Sequence, residues 1–296
     1  MVTLPSYGLE YPQPTHTSMT ITYMNTKQAL AAALVFGMTC AAQAAAPKTD
    51  EALKAAIASD QRTPAYAQRD AARHPYETLS FFGIQPTMTV VELSPGGGWY
   101  TEILAPYLRD SGHYVAAAYS ENSPQEHRRG YTVNFKKKLA ADPARYDKVQ
   151  LAVFEPPTEL NYAPPESAEL VLTFRNLHNW LSYGDDNMKR VFQSVYDTLK
   201  PGGVFGVVEH RLPEGMPQDA TASSGYMHEA YVIDMVKSVG FELAEKSEIN
   251  ANPKDTADHP NGVWALPPTY RNKDTNRDHY QAIGESDRMT LKFVKP

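Results

Sequence analysis

Cysteine is all but missing. The only one in 296 residues is Cys40, and it falls in a stretch that reads as a leader. A mature chain without it has no thiol nucleophile, no disulfide and no cysteine-based metal site. Such a chain suits an oxidising compartment, where a stray thiol is a liability. A surplus of positive charge is missing too. The formal net charge is −6, and removing residues 1–44 leaves it unchanged, because Glu10 and Lys27 leave together. This balance argues against a nucleic-acid partner, and the lack of a polybasic run argues against an anionic membrane surface. No apolar run is long: Ala29–Met38 extends for only about ten residues, too few to span a bilayer. Internal repeats and long low-complexity tracts are also missing.

Residues 1–23 are polar and aperiodic and read as an upstream extension. From Met24 the pattern changes. Lys27 supplies a positive start, Ala29–Met38 an apolar centre and Ala42-Gln43-Ala44 a small-residue cleavage site. Residues 24–44 are therefore expected to be a signal peptide, cut near Ala44, with a periplasmic or secreted product. Thr39 before Cys40 does not match a lipoprotein site. Residues 45–296 have the length of one α/β domain with a sizeable core.

Val90-Val91-Glu92-Leu93-Ser94-Pro95-Gly96-Gly97-Gly98-Trp99 is the most informative stretch. It reads as strand, glycine turn and, from Tyr100 to Leu108, a helix that Pro106 should kink or shorten. Glycines let a backbone pass close to a ligand, and a helix start aims free N–H groups into the turn. A bare turn would need no ligand. A dinucleotide fingerprint fits poorly, because its third glycine would fall on Thr101.

The remaining pattern alternates helices and strands. A helical lead-in covers Asp50–Ser59 and Thr63–Phe82, the second part broken near His74-Pro75. Arg69, Asp70, Arg73 and His74 are placed either at a ligand mouth or on a solvated face. Strands are expected at Thr87–Leu93, His113–Ala118, Val149–Phe154, Leu170–Phe174, Val204–Val208, Phe241–Ile249 and Met289–Val294. Helices are expected at Ser123–Ala140, Asp185–Leu199 and Tyr226–Val239. Residues 250–288 form a long polar insertion before the last strand, read as a lid, with Trp264 and regular prolines arguing for order.

Arg175-Asn176-Leu177-His178-Asn179-Trp180 follows the fourth strand, and Glu209-His210-Arg211 follows the fifth. In an open α/β sheet both lie on the rim that carries the glycine turn. His178 and His210 are candidate general bases there, since imidazole titrates near neutrality, and Glu209 is placed to orient either. The competing idea is a metal held by His178, His210, His259, Glu209, Asp255 and Asp258. Their spacing matches no metal motif, so no metal ligands are assigned. Glu-Leu-Ser-Pro-Gly is not a nucleophile elbow, and Pro95 removes an N–H that an oxyanion hole would use.

Glu92 with Ser94, Gly96 and Gly98 resembles the first motif of class I S-adenosylmethionine-dependent methyltransferases, acidic-x-Gly-x-Gly-x-Gly, with serine at the first glycine. Leu199-Lys200-Pro201-Gly202-Gly203 resembles the turn before that family's fifth strand. The likeness covers roughly residues 87–249. The whole mature chain is similar to a group of exported bacterial predicted methyltransferases, on these motifs together with Thr173–Trp180, Gly206–Arg211 and Asp258–Trp264. The resemblance implies a doubly wound, mostly parallel seven-stranded Rossmann-like sheet closed by an antiparallel strand beside the sixth at the sheet's edge. It implies S-adenosyl-L-methionine as cofactor, held by Glu92, Ser94, Pro95, Gly96, Gly97, Gly98 and Trp99, with Arg175 and Asn176 opposite. The family's ribose-binding acid after the second strand is missing. Either Glu121 reaches back or Tyr119 packs on the adenine. The implied acceptor is a small molecule. An exported nucleoside-like binding module without catalysis is the other reading, and the oligomeric state is not legible.

Overall fold

The computed structural model describes residues 49–296, so the expected extension at 1–23 and leader at 24–44 lie outside the described residues. Seven strands form one sheet: β1 (Thr89–Leu93), β2 (His113–Ala118), β3 (Gln150–Val153), β4 (Ala168–Phe174), β5 (Leu199–His210), β6 (Glu242–Ser247) and β7 (Arg288–Val294). Their order is β3-β2-β1-β4-β5-β7-β6, parallel except for β7, which runs antiparallel to both neighbours. The expected closing strand does lie beside β6, but inside the sheet rather than at its edge. Its middle residues Thr290, Leu291 and Phe293 are fully buried, as a central strand requires. The edge falls to β6, whose Glu242, Glu245 and Lys246 are exposed and discourage edge pairing.

Both faces of the sheet are covered. On β1, Val90 packs with Leu53, Leu79, Phe82 and Ile103 on one side, while Val91 and Leu93 pack with Phe154, Phe192 and Phe205 on the other. This two-residue alternation explains the near-continuous apolar runs of the inner strands. The lead-in divides at His74, whose φ of 43° is left-handed. Helices Glu51–Ile57 and Pro75–Phe82 bury Leu53, Leu79 and Phe82 on the first face.

The helix after the glycine turn runs Thr101–Leu108. Pro106 cannot donate to the Glu102 carbonyl, four residues back. That carbonyl accepts from the buried Arg145 guanidinium at 2.7 Å instead, so Pro106 is accommodated within the helix. The Lys200–Gly203 turn is absorbed into β5 as a register shift, with Ala168 opposite Leu199 and Leu170 opposite Val204. The insertion at 250–288 holds a short 3-10 turn, Gly262–Ala265, and a helix, Arg277–Ile283. Buried Asp255 fastens it, accepting from the Tyr226 hydroxyl, the Ala257 and Asp287 amides and His259 Nε2.

Candidate functional site

The chain leaves β1 toward β2 on one side and returns to β4 on the other. The crevice between the carboxyl ends of β1 and β4 is therefore the switch point where open α/β sheets bind ligands. A cavity of about 740 Å³ lies there, within the usual range for small-molecule sites. Its walls come from the glycine turn, the loop after β2, the Arg175–Tyr183 corner, the lead-in and the insertion. Asn176 Nδ2 donates to the Leu93 carbonyl and to Thr173 Oγ1, each at 3.1 Å, which clamps the corner after β4 to the end of β1.

The turn itself is shaped for a ligand. Ser94 has a φ of 51° and Gly96 a φ of 59°. A Cβ on Gly96 would meet nothing within 4 Å, so this peptide faces open space. Ser94 Oγ is buried and without a hydrogen-bond partner. Gly97 and Gly98 are glycines for other reasons. A Cβ on Gly97 would stand 2.5 Å from the Tyr66 hydroxyl, and one on Gly98 2.9 Å from the Phe135 ring. Tyr66 donates to the Gly97 carbonyl at 3.0 Å, and Trp99 Nε1 donates to the Tyr66 carbonyl at 2.9 Å. These bonds bolt the lead-in onto the turn. Glu92 is nearly fully buried at the cavity floor. Burial pushes its carboxyl up to about 7, against the hydrogen bonds from Tyr114 and Thr101 that favour the charged form.

The two histidines meet at the cavity. Glu209, fully buried behind them, accepts the Leu177 amide at 2.6 Å, the His210 amide at 2.8 Å, His178 Nδ1 at 3.0 Å and the His178 amide at 3.4 Å. Four donors fill the acceptor sites of one carboxylate. A carboxylate accepts only, so His178 Nδ1 carries the proton and Nε2 keeps its lone pair. His210 Nδ1 pairs with Ser286 Oγ at 2.6 Å. Burial, followed by the neighbouring His178 ring and the positive fields of Arg175, Arg288 and Arg73, lowers the His210 pKa well below its ordinary value. The two rings lie 5.4 Å apart, with Trp264 6.0 Å from His178. Ligand atoms of His178, Glu209 and His210 lie within 4.8 Å of one another, but Glu209 already carries its four donors. His259 and Asp255 pair with each other inside the insertion, so the six-residue metal set weighed from the sequence does not assemble.

Arg69, Arg73 and Arg175 line the remaining floor, and Arg288 is buried next to them. Arg69, Arg73 and Arg288 share the carboxylate of Glu285 at 2.6, 3.3 and 3.3 Å. Burial would raise Glu285, yet Arg73, Arg69 and Arg288 hold it at about 2.

Of the residues expected at the site, Glu92, Ser94, Pro95, Gly96, Gly97, Trp99, Tyr119, Arg175, Asn176, His178 and His210 line the cavity. Gly98 faces Phe135 instead, and Glu209 supports from behind. Glu121 does not reach back: it is half exposed and pairs with Lys136 at 2.5 Å. Tyr119 takes that wall, with the Arg128 guanidinium 4.5 Å over its ring. Arg128 is held by buried Glu155 at 2.6 Å. Sequence reasoning missed Tyr66, Arg128 and Glu155. It placed Glu285 only as part of a polar run, since nothing local marks contacts more than two hundred residues apart.

No family model matches the chain, and no curated protein matches it. Solved structures do. The chain superposes on a SAM dependent methyltransferase from Aquifex aeolicus at 14% identity, covering 84% of this chain and 100% of that one, with a TM-score of 0.51. It superposes on the (4+2)-cyclase SpnF at 14% identity, covering 80% and 85%, with a TM-score of 0.55. A protein assigned as a sarcosine dimethylglycine methyltransferase from Galdieria sulphuraria gives 13% identity, 80% and 88% coverage and a TM-score of 0.51. What is shared at these identities is the fold, the Rossmann-like sheet of S-adenosylmethionine-dependent methyltransferases. One fold hosting a cyclase and methyltransferases leaves the reaction to the site.

Proposed function

We propose that the chain is an S-adenosyl-L-methionine-dependent methyltransferase acting on a small-molecule acceptor. The observation that carries this reading is one cavity holding both halves of the chemistry. An open glycine bend with an unpartnered Ser94 hydroxyl lies on one side, and a Glu209–His178 pair on the other. The bend suits the donor: Gly96 leaves room for its backbone-hugging part, Ser94 Oγ offers an unused hydrogen bond, and Glu92 and Tyr119 flank the space. When bound, the donor supplies an electrophilic methyl. His178 Nε2 takes the proton that the acceptor loses. Glu209 holds the opposite nitrogen and stabilises the imidazolium, which is the task of a base orienter. His210 stays neutral and positions the acceptor through Nε2. Trp264, Pro267 and Pro268 of the insertion supply an apolar wall to the same cavity, with Trp264 beside His178.

Export completes the proposal. Lys27, the apolar run, the Ala42–Ala44 site and the cysteine-free remainder support a periplasmic or secreted product cut near Ala44. Among the described residues no helix is long and apolar enough to cross a membrane.

Calorimetric titration of the purified chain with S-adenosylmethionine and with S-adenosylhomocysteine tests the reading. Saturable heat with both, weakened by Gly96→Val, is expected. No heat and no thermal shift at millimolar ligand would reject it, and a different co-purifying nucleoside would favour a binding module.

A further inference from the structure

The arginine corner is short of negative charge. Arg69, Arg73, Arg175 and Arg288 stand against one firmly ionised carboxylate, Glu285. Glu92, the other acid on the cavity wall, keeps its proton up to about pH 7. Among the described residues the Arg175 guanidinium has neither a hydrogen bond nor an ion pair, while Arg69 Nη2 is buried without a partner. Arg175 is half-buried and its open part faces the cavity. It is also held at a φ of 61°, a conformation that a long side chain rarely adopts. Strain and an unpaired, half-buried charge both cost stability. Together they mark a position kept for a ligand rather than for the fold.

The methyl donor cannot supply the missing charge. It carries one carboxylate but also an ammonium and a sulfonium, so it enters with a net positive charge. Whichever guanidinium its carboxylate met, the filled cavity would gain no net negative charge, even where Glu92 ionises to match the incoming cation. We propose that the acceptor carries an oxyanion, a carboxylate or a phosphate, and that Arg175 with Arg73 forms the subsite that holds it beside His178 and His210. The planar fork of a guanidinium matches both anions and offers two parallel hydrogen bonds. The identity of the acceptor rests on the methyltransferase reading; the anion subsite does not.

The test uses the full chain and four probes: benzoate, phenyl phosphate, S-adenosylmethionine and S-adenosylhomocysteine. Millimolar benzoate or phenyl phosphate is expected to raise the melting temperature of the wild type. Either should tighten S-adenosylmethionine binding by about tenfold, the scale of one charge-assisted contact. Whichever of the two acts more strongly identifies the anion as planar or tetrahedral. Arg175→Gln should abolish both effects and raise the melting temperature of the ligand-free protein, because a waiting charge is gone. A merely structural arginine would lower it. If the anions do nothing, or if Arg175→Gln weakens S-adenosylhomocysteine binding and leaves the anion effects intact, the proposal is overturned. Anion stabilisation lost in Arg175→Gln in a protein that binds neither nucleoside would uphold the subsite and remove the methyltransferase reading.

Discussion

At the scale of single residues, two groups govern the proposed chemistry. The first is His178. Its Nδ1–H is fixed by Glu209 at 3.0 Å, so Nε2 is the free base. His178→Asn is expected to lower turnover by about 10²–10⁴, the usual worth of general-base catalysis, with donor affinity unchanged by calorimetry. Glu209→Gln should also slow turnover, because the imidazolium formed in the reaction loses its counter-charge. The second is Glu92, raised to about 7 by burial. Its folded pKa lies above its unfolded value of 4.5, so between those values the native state binds more proton. Stability from this group is therefore present at low pH, falls as pH rises through that window and is flat above it. Melting temperatures at pH 5 and 8 are expected to differ less in Glu92→Gln than in the wild type. The cationic donor should also favour ionised Glu92. Its binding at pH 6 should release close to one proton, and at pH 8.5 almost none, read from calorimetry in buffers of different ionisation enthalpy.

At the scale of elements, the glycine turn separates binding from folding. Gly96→Ala introduces a Cβ into open space, Gly98→Ala one 2.9 Å from Phe135. Both have left-handed φ, so each costs about 1 kcal/mol or more in strain. Gly98→Ala should lose further stability through displacement of Phe135. Gly96→Ala should chiefly lose donor affinity. Urea unfolding beside nucleoside titration distinguishes them. The turn was legible in the sequence because it is local: β-branched strand, acid, glycines and helix occur within about twenty residues, the scale on which such motifs are written. The inner strands β1, β2 and β4 were legible for the same reason, their apolar runs reporting burial on both faces. Glu121 was not, since an acid three residues past a strand end could point either way. The bend after β2 and the reach of Lys136 decide it.

At the scale of the molecule, the site is a meeting of distant segments. Arg69 and Arg73 from the lead-in reach Glu285 from the insertion, more than two hundred residues on. No pattern in the sequence records that encounter. The insertion's order was legible from Trp264 and its prolines, but its anchor was not: Asp255 joins Tyr226, His259 and Asp287 only once the chain has folded. Asp255→Ala is expected to cost about 1–3 kcal/mol by stranding buried donors. Amide exchange should accelerate across 250–288 while the central strands stay protected. Strand order was carried by the family likeness rather than by any single strand, and it missed that β7 lies inside β6.

The most direct measurement is a crystal structure of the chain grown with S-adenosylhomocysteine. Density for the nucleoside in the crevice between β1 and β4, against Gly96 and Ser94 and beside Tyr119, is the predicted result. A crevice closed by Tyr66 or empty at saturating ligand, or a nucleoside bound away from the glycine bend, would contradict the account.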